Sequence, residues 1–238
     1  MIKHIKNIFT QEECDVIVQR LNCMPAEAFK QHMRLRILGT NLYDYTNFKD
    51  YTQPVEINNK VLHDNFEWMY DKLQAKLSEE LGMEVKYNTK FSLPGFQLYS
   101  YDEKHDVAPA RIWHYDDEKL GFPIRPVDRD ITFTLLIENP GKSTYNYFPC
   151  TESLYSKDNQ YVCKEHVHLK CNQTCHNPKC ELTEDKMETL EYEVGSMLLT
   201  YDRYLHRIGP TEFQDKNKRR ITMQGHGYIK NNVLYLHW

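Results

Sequence analysis

The spacing of apolar residues changes once along this chain, at Gly82, and that change limits the folds open to it. Before Gly82, Leu62, Phe66, Met69, Leu73, Leu77 and Leu81 recur at steps of three or four, the stripe of a helix, and Gly82 stands where a C-terminal cap belongs. An earlier helix is announced by Thr10-Gln11-Glu12-Glu13, a capping box in which each end side chain answers an orphan backbone N–H. Cys14, Val16, Ile17 and Leu21 give its apolar stripe, and a short strand around residues 5–9 precedes it. Residues 38–54, rich in Tyr, Asn and Asp, read as a long surface loop, with the second helix starting at Pro54. After Gly82 the segments 91–101, 110–114, 130–137, 196–200, 220–228 and 233–237 are short, rich in aromatic or β-branched residues, and separated by turn residues. Helices followed by strands with no intervening helix predict a mainly β chain with flanking α (α+β). A double-sheet roll limits exposed strand edges, so the expected core is of that kind, on a helical N-terminal support. We expect a single domain over 1–238, with 1–83 as the support and 84–238 as the β-roll. Residues 150–185 interrupt the strand pattern and read as an insertion.

Composition narrows the classes of function. The 238 residues are 40% hydrophobic and include 17 Tyr, 10 Phe and 3 Trp, core material that disordered chains lack. No apolar run approaches the roughly 18 residues that cross a bilayer. A net charge of −4 argues against a nucleic-acid binder that must neutralise several phosphates. The first residues hold no uninterrupted apolar stretch of the secretory type, and seven Cys is an odd number, so a cytoplasmic, reducing location is expected. The 11 His are the residues that point toward chemistry.

Three motifs stand out. His114-Tyr115-Asp116 ends a strand-like run, and on extended backbone residues i and i+2 face the same side, so an imidazole and a carboxylate can converge on one ion. Alone this carries little weight, since roughly 0.7 His-x-Asp matches arise by chance in such a chain. The second is Gly195 feeding the apolar run 196–200, with His206 in the loop beyond. The third is Lys218-Arg219-Arg220-Ile221-Thr222-Met223, a cationic entry to an apolar strand, 14 residues past His206. A charge carried inward on such a strand needs an anion to meet it.

His-x-Asp, a distant His and an Arg about a dozen residues later resemble the Fe(II)- and 2-oxoglutarate-dependent dioxygenases, whose two-His, one-carboxylate facial triad leaves open positions on the iron. The opening 5–21, with Phe9-Thr10-Gln11-Glu12-Glu13-Cys14, is similar to the prolyl 4-hydroxylase-like branch, as are Tyr99-Ser100-Tyr101 and the run 129–135. The resemblance covers most of the chain outside 38–54 and 150–185 and implies a double-stranded β-helix, the jelly-roll or cupin-like core. It implies Fe(II) held by His114, Asp116 and His206, with 2-oxoglutarate as cosubstrate and O2 as oxidant. Arg219 and Arg220 face opposite sides of a strand. Arg220 shares its side with Thr222 and Gln224, and Arg220-Ile221-Thr222 is similar to the family's Arg-x-Ser element, so Arg220 is favoured over Arg219 for the distal carboxylate. Tyr101 is placed where relatives put a Tyr that hydrogen-bonds the cosubstrate, and Thr132 is a further candidate for such a contact; for both, an ordinary barrel-lining side chain is the other reading.

The resemblance implies oxidative decarboxylation of 2-oxoglutarate to succinate and CO2, coupled to hydroxylation of an unactivated C–H bond. The expected substrate is a small molecule, an amino acid or related metabolite, free or carrier-bound. A peptidyl or prolyl residue of a protein is the alternative, and a non-catalytic cupin-like metal-binding module is the alternative of another class. No membrane partner is expected and nucleic acid ranks low; the sequence is silent on oligomeric state. Trp113, Tyr115 and Arg129 are candidates for substrate binding, with Tyr145 and Tyr147 as further aromatic lining. The insertion holds Cys163, Cys171, Cys175, His176 and Cys180, a density of thiols and imidazole suited to a structural zinc site but without the spacing of a zinc ribbon. A disulfide there, or free thiols in a lid over the site, are the other readings.

Overall fold

In the computed structural model the described residues are 2–32, 34–45, 47–101, 107–108, 129–148, 187–201 and 206–238. The helices are Gln11–Cys23 (α1) and Phe48–Leu81 (α2). Before the main β region lie Ile2–Ile5 (β1), Lys30–His32 (β2), Leu35–Leu38 (β3) and Glu84–Tyr87 (β4). Eight strands follow: Gly95–Tyr99 (β5), Val107–Ala108 (β6), Arg129–Glu138 (β7), Gly141–Tyr147 (β8), Glu188–Glu191 (β9), Met197–Tyr201 (β10), His206–Phe213 (β11) and Arg220–Lys230 (β12). Val233–His237 (β13) closes the set.

The larger sheet runs β1-β10-β7-β12-β5-β3-β2, and the smaller runs β6-β11-β8-β9. Strands β5, β7, β10 and β12 thus belong to one sheet, and β6, β8, β9 and β11 to the other. Eight strands divided four and four in this order form a double-stranded β-helix, the jelly-roll core, and the fold is mainly β with flanking helices. β12 pairs with β7 on one side; on the other it meets β5 over its first half and β13 over its second. The β12–β13 hairpin turns on Asn231 and Asn232, both left-handed at φ 53° and 59°, the geometry that Asn tolerates best after Gly.

Alternation along the strands sorts the core into two. Ile131, Phe133, Leu135 and Ile137 of β7, Met197 and Leu199 of β10, and Ile221 and Met223 of β12 pack against Ile17, Leu21, Phe66, Met69, Leu73 and Leu77 of the helices. Each such side chain taken from water contributes roughly 1.5–3 kcal/mol. The opposite face of the same strands turns toward the smaller sheet, where Leu136 and Leu198 meet Tyr145, Tyr147 and Tyr192. The helices therefore support the large sheet from outside and leave its inner face to the interior of the roll.

Several local expectations are revised. The capping box forms as expected: Glu13 N–H donates to Thr10 Oγ1 at 3.3 Å, and Thr10 N–H donates to Glu13 Oε2 at 2.7 Å. Val16, however, lies outside the buried stripe and is 52% exposed. β1 occupies 2–5 rather than 5–9, because Asn7 at φ 56° leaves the extended region. Residues 38–54 are not one loop, since α2 begins at Phe48. Asn47 caps it by accepting from Asp50 N–H at 3.0 Å, and Tyr51 ties the first turns to the sheet by donating to the Trp238 backbone oxygen and accepting from Ser92 N–H, both at 2.7 Å. These contacts hold helical backbone on both sides of Pro54, whose missing N–H would otherwise favour an end there. β4 pairs in parallel with β13, an addition to the antiparallel pattern. β11 crosses Gly209-Pro210 with a register shift between Ile208 and Thr211, which admits a proline and brings Gly209 against Thr144, where a Cβ would lie 2.0 Å from Thr144 Oγ1. The expected strand 110–114 and the insertion 150–185 lie outside the described residues. No described helix is long and apolar enough to cross a membrane.

Two measurements check this packing. At Gly95 a Cβ would stand 2.0 Å from the buried Trp238 ring and 2.5 Å from the Leu38 carbonyl, so Gly95→Ala should destabilise the protein by about 1–3 kcal/mol in urea unfolding; an unchanged midpoint would contradict the contact. His237 is completely buried beside Phe91 and His226, and burial pulls its pKa down to about 3. The unfolded chain takes up that proton near pH 6.5, so it binds more protons than the folded chain between about 6.5 and 3, and stability falls as pH drops through this window. His237 should cost the wild type about 2 kcal/mol between pH 7 and pH 5, a loss absent from His237→Phe. Equal acid sensitivity in both proteins would contradict this.

Candidate active site

The inner side of β12 carries Arg220, Thr222, Gln224, His226 and Tyr228 in alternating order. Arg220 is 5% exposed and Thr222 is fully buried. The neighbours follow from the register: Tyr99 of β5 stands beside Arg220, Gln97 and Leu136 flank Thr222, Thr134 pairs with Gln224, and Thr132 pairs with His226. Every one of these β12 side chains can form hydrogen bonds, on a strand whose other face is Ile221, Met223, Gly225, Gly227 and Ile229. The two neighbouring arginines have different surroundings. Arg219 lies on the outer side, where its backbone N–H donates to Glu138 Oε2 at 2.7 Å and its Nη2 donates to Asn22 Oδ1 at 2.6 Å. Arg220 points into the roll, with its guanidinium carbon 5.0 Å from the centre of the Tyr192 ring.

His206 opens β11 on the facing sheet, 7% exposed, and its imidazole stacks on Tyr145 at 5.1 Å with 23° between the planes. Tyr145 in turn meets Tyr192 edge-on at 6.2 Å. His206, Tyr145, Tyr192 and Arg220 thus form a continuous series of ring contacts across the interior. Local pairing explains it: β8 sets Tyr145 opposite Ile208 of β11 and Leu190 of β9, and the chain after β9 returns Tyr192 N–H to the Ser143 carbonyl at 3.1 Å. Tyr147, also inward, donates through its hydroxyl to the Glu188 carboxylate. Buried rings around one imidazole and one guanidinium make a low-dielectric interior, in which a ligand's charge interacts more strongly than in water.

The remaining candidates are distributed as follows. Tyr101 is half-buried just beyond β5, edge-on to Phe213 at 5.7 Å, with Lys216 Nζ 4.7 Å from its ring centre. Thr132 faces inward and its hydroxyl lies 2.5 Å from that of Thr200 on β10. It pairs with His226, six residues and roughly 20 Å along an extended strand from Arg220, so the two cannot share one carboxylate. Arg129 does not converge with them: exposed at the start of β7, it lies over the Tyr201 ring at 5.4 Å, on the side facing the helices. His114, Asp116, Trp113, Tyr115, Cys163, Cys171, Cys175, His176 and Cys180 lie outside the described residues. Among the described residues no three His, Cys, Asp or Glu gather as a metal would require. Tyr192 escaped sequence reasoning; its signal is its parity with Leu190 after β9. Gln97, opposite Thr222, has no local signal apart from strand alternation.

Two observations bear on what this interior fits. The Thr222 hydroxyl is fully buried and has no hydrogen-bond partner among the described residues, beside a buried guanidinium on the same face of the same strand. A buried hydroxyl without a partner is costly, and a carboxylate would accept from both groups. His206 offers a buried imidazole nitrogen, a donor type suited to a first-row transition metal.

No protein-family model matches the sequence, and no curated protein matches it. Similar solved structures exist at low identity. The non-haem α-ketoglutarate-dependent epimerase SnoN from nogalamycin biosynthesis is 11% identical, with a TM-score of 0.49 over 96% of this chain and 81% of that one. HygX from Streptomyces hygroscopicus, solved with nickel, 2-oxoglutarate and hygromycin B, is 11% identical, with a TM-score of 0.47 over 94% and 81%. A prolyl-4-hydroxylase from Pseudomonas putida is 8% identical, with a TM-score of 0.39 over 97% and 92%. The double-stranded β-helix of this chain is defined by its own strand order, independently of these likenesses. Of these solved structures, SnoN is described as α-ketoglutarate-dependent and was also solved with Fe3+ and α-ketoglutarate, and HygX was solved with nickel and 2-oxoglutarate.

Proposed function

We propose that this protein is an Fe(II)- and 2-oxoglutarate-dependent dioxygenase that hydroxylates a C–H bond of a small molecule, with residues 1–238 acting as one catalytic unit. The observation that carries the reading is the buried Arg220 with the unpartnered Thr222 hydroxyl beside it, inside a double-stranded β-helix that also turns His206 inward. His114, Asp116 and His206 would hold the iron. When bound, iron and 2-oxoglutarate supply the oxidising chemistry: O2 is consumed, the oxo acid becomes succinate and CO2, and one oxygen atom enters the substrate.

The chain's own residues bind, orient and exclude water. Arg220 receives the distal carboxylate of the oxo acid through the planar fork of its guanidinium, and Thr222 donates its hydroxyl to the same group. The Tyr192 ring under the guanidinium limits its rotation, and the Tyr145 ring does the same for the His206 imidazole. Leu136 and Leu198 with Tyr145, Tyr147 and Tyr192 form an apolar wall that keeps water from the anchored acid. The inward pair toward the other end of β12, His226 with Thr132 opposite it, is left to face the substrate.

Succinate formation tests the reading. Protein supplied with Fe(II), 2-oxoglutarate, ascorbate and O2 should release succinate above the protein-free rate, even uncoupled from substrate. His206→Ala should abolish the excess, and its persistence in that variant would exclude His206 as a ligand. Arg220→Ala should raise the KM for 2-oxoglutarate by about tenfold to a hundredfold, the scale of a lost charge-assisted pair, while Arg219→Ala leaves it within about twofold. The reverse pattern would move the anchor to Arg219.

A further inference from the structure

Beyond Arg220 and Thr222, the inner wall holds three more hydrogen-bonding side chains that no other described residue employs. Gln97 on β5, Gln224 on β12 and Thr134 on β7 are half-buried, face the interior, and make no side-chain hydrogen bond among the described residues. The register groups them tightly: Gln97 stands directly opposite Thr222, Gln224 follows Thr222 on the same face, and Thr134 stands opposite Gln224. Several half-buried asparagines elsewhere among the described residues are tied down. Asn59, for example, donates to the Phe91 carbonyl at 2.9 Å and accepts from Leu93 N–H at 2.8 Å, and Asn58 donates to Thr40 Oγ1 at 2.6 Å. What sets Gln97 and Gln224 apart is their place: two carboxamides without a described partner flank a fully buried hydroxyl that also has none.

Charge narrows what they receive. A 2-oxo dicarboxylate carries two negative charges, and Arg220 is the one buried Arg or Lys side chain on the inner faces of the described roll strands β5 and β7–β12; Lys230, at the far end of β12, is exposed. Neutral donors must supply much of the remaining solvation that the acid loses on entering an interior walled by Leu136, Leu198 and three tyrosines. A carboxamide can supply it, because its NH2 donates to a carboxylate or keto oxygen without adding a charge that would itself need a partner when the pocket is empty.

We propose that the carboxamides of Gln97 and Gln224, on either side of Thr222, are cosubstrate-binding groups that donate hydrogen bonds to the oxo acid anchored by Arg220. This rests on the reading of the protein as a 2-oxoglutarate-dependent enzyme, and it assigns binding roles to two residues outside the Arg-x-Thr element. Gln97 flanks the anchored carboxylate, and Gln224 lies one inward position further along the strand, toward the level of Thr132 and His226.

Calorimetric titration of 2-oxoglutarate into full-length protein loaded with Mn(II) tests it, since the redox-inert metal gives a readout independent of turnover. Gln97→Leu and Gln224→Leu should each weaken 2-oxoglutarate binding by about tenfold, the scale of one hydrogen bond to a charged group. Gln97→Glu and Gln224→Glu should weaken it by about a hundredfold at pH 7.5, and the gap between each Glu variant and its Leu counterpart should narrow at pH 5.5 as the new carboxylate takes up a proton. That narrowing is a charge effect which a purely structural role would not produce, and urea midpoints show whether each variant is folded. Affinities within about twofold of wild type in all folded variants, or Glu and Leu variants that match at both pH values, would overturn the assignment. Failure of the wild-type protein to bind 2-oxoglutarate would instead overturn the functional reading on which the assignment rests.

Discussion

The alternation of side chains along β12 is the constraint on which the rest of the site depends. This strand lies at the centre of the larger sheet, held by β7 on one side and by β5 and β13 on the other. A shift of one residue in its register would exchange Ile221 and Met223 for Arg220 and Thr222 on the face toward the helices. The helix-facing side is so heavily apolar, with Leu73, Leu77, Phe66 and Ile17 against it, that this exchange is prohibitively unfavourable. Packing outside the roll therefore fixes which charges stand inside it. Arg219, one residue earlier, is directed to Glu138 and Asn22 by the same alternation.

The smaller sheet contributes the complementary half. Its inward rings link His206 to Arg220 through Tyr145 and Tyr192, so the proposed metal ligand and the proposed carboxylate anchor are held by one aromatic assembly rather than by independent loops. Such an arrangement suits a reaction in which one cosubstrate must reach both a metal and a carboxylate anchor. It also predicts that disturbing either tyrosine affects both ends together.

Much of this was legible in the amino-acid order. The capping box at Thr10, the stripe from Leu62 to Leu77 and the Gly82 cap are local signals, and the structure realises each of them. The β-roll was readable because the strand segments after Gly82 have no helices between them. Harder to read were elements whose local chemistry argues against them. Gly209-Pro210 concealed β11, the polar run of β8 concealed a buried strand, and Pro54 concealed the first turns of α2, which Tyr51 secures through a contact with the far end of the chain. The inward placement of Arg220 was readable from strand parity, and His206 was singled out by spacing. The inward contacts of Tyr192 and Gln97 were not readable, because they arise from neighbours brought together across strands.

We propose that this interior binds an oxo acid at Arg220 while His206 holds iron. Anaerobic addition of Fe(II) and then 2-oxoglutarate to the apo-protein tests both halves in a single spectrum. A weak visible charge-transfer band should appear with both components present, be absent with either alone, and be lost in His206→Ala. A wild-type protein that develops no such band at saturating Fe(II) and 2-oxoglutarate, or a band that survives in His206→Ala, would contradict the account.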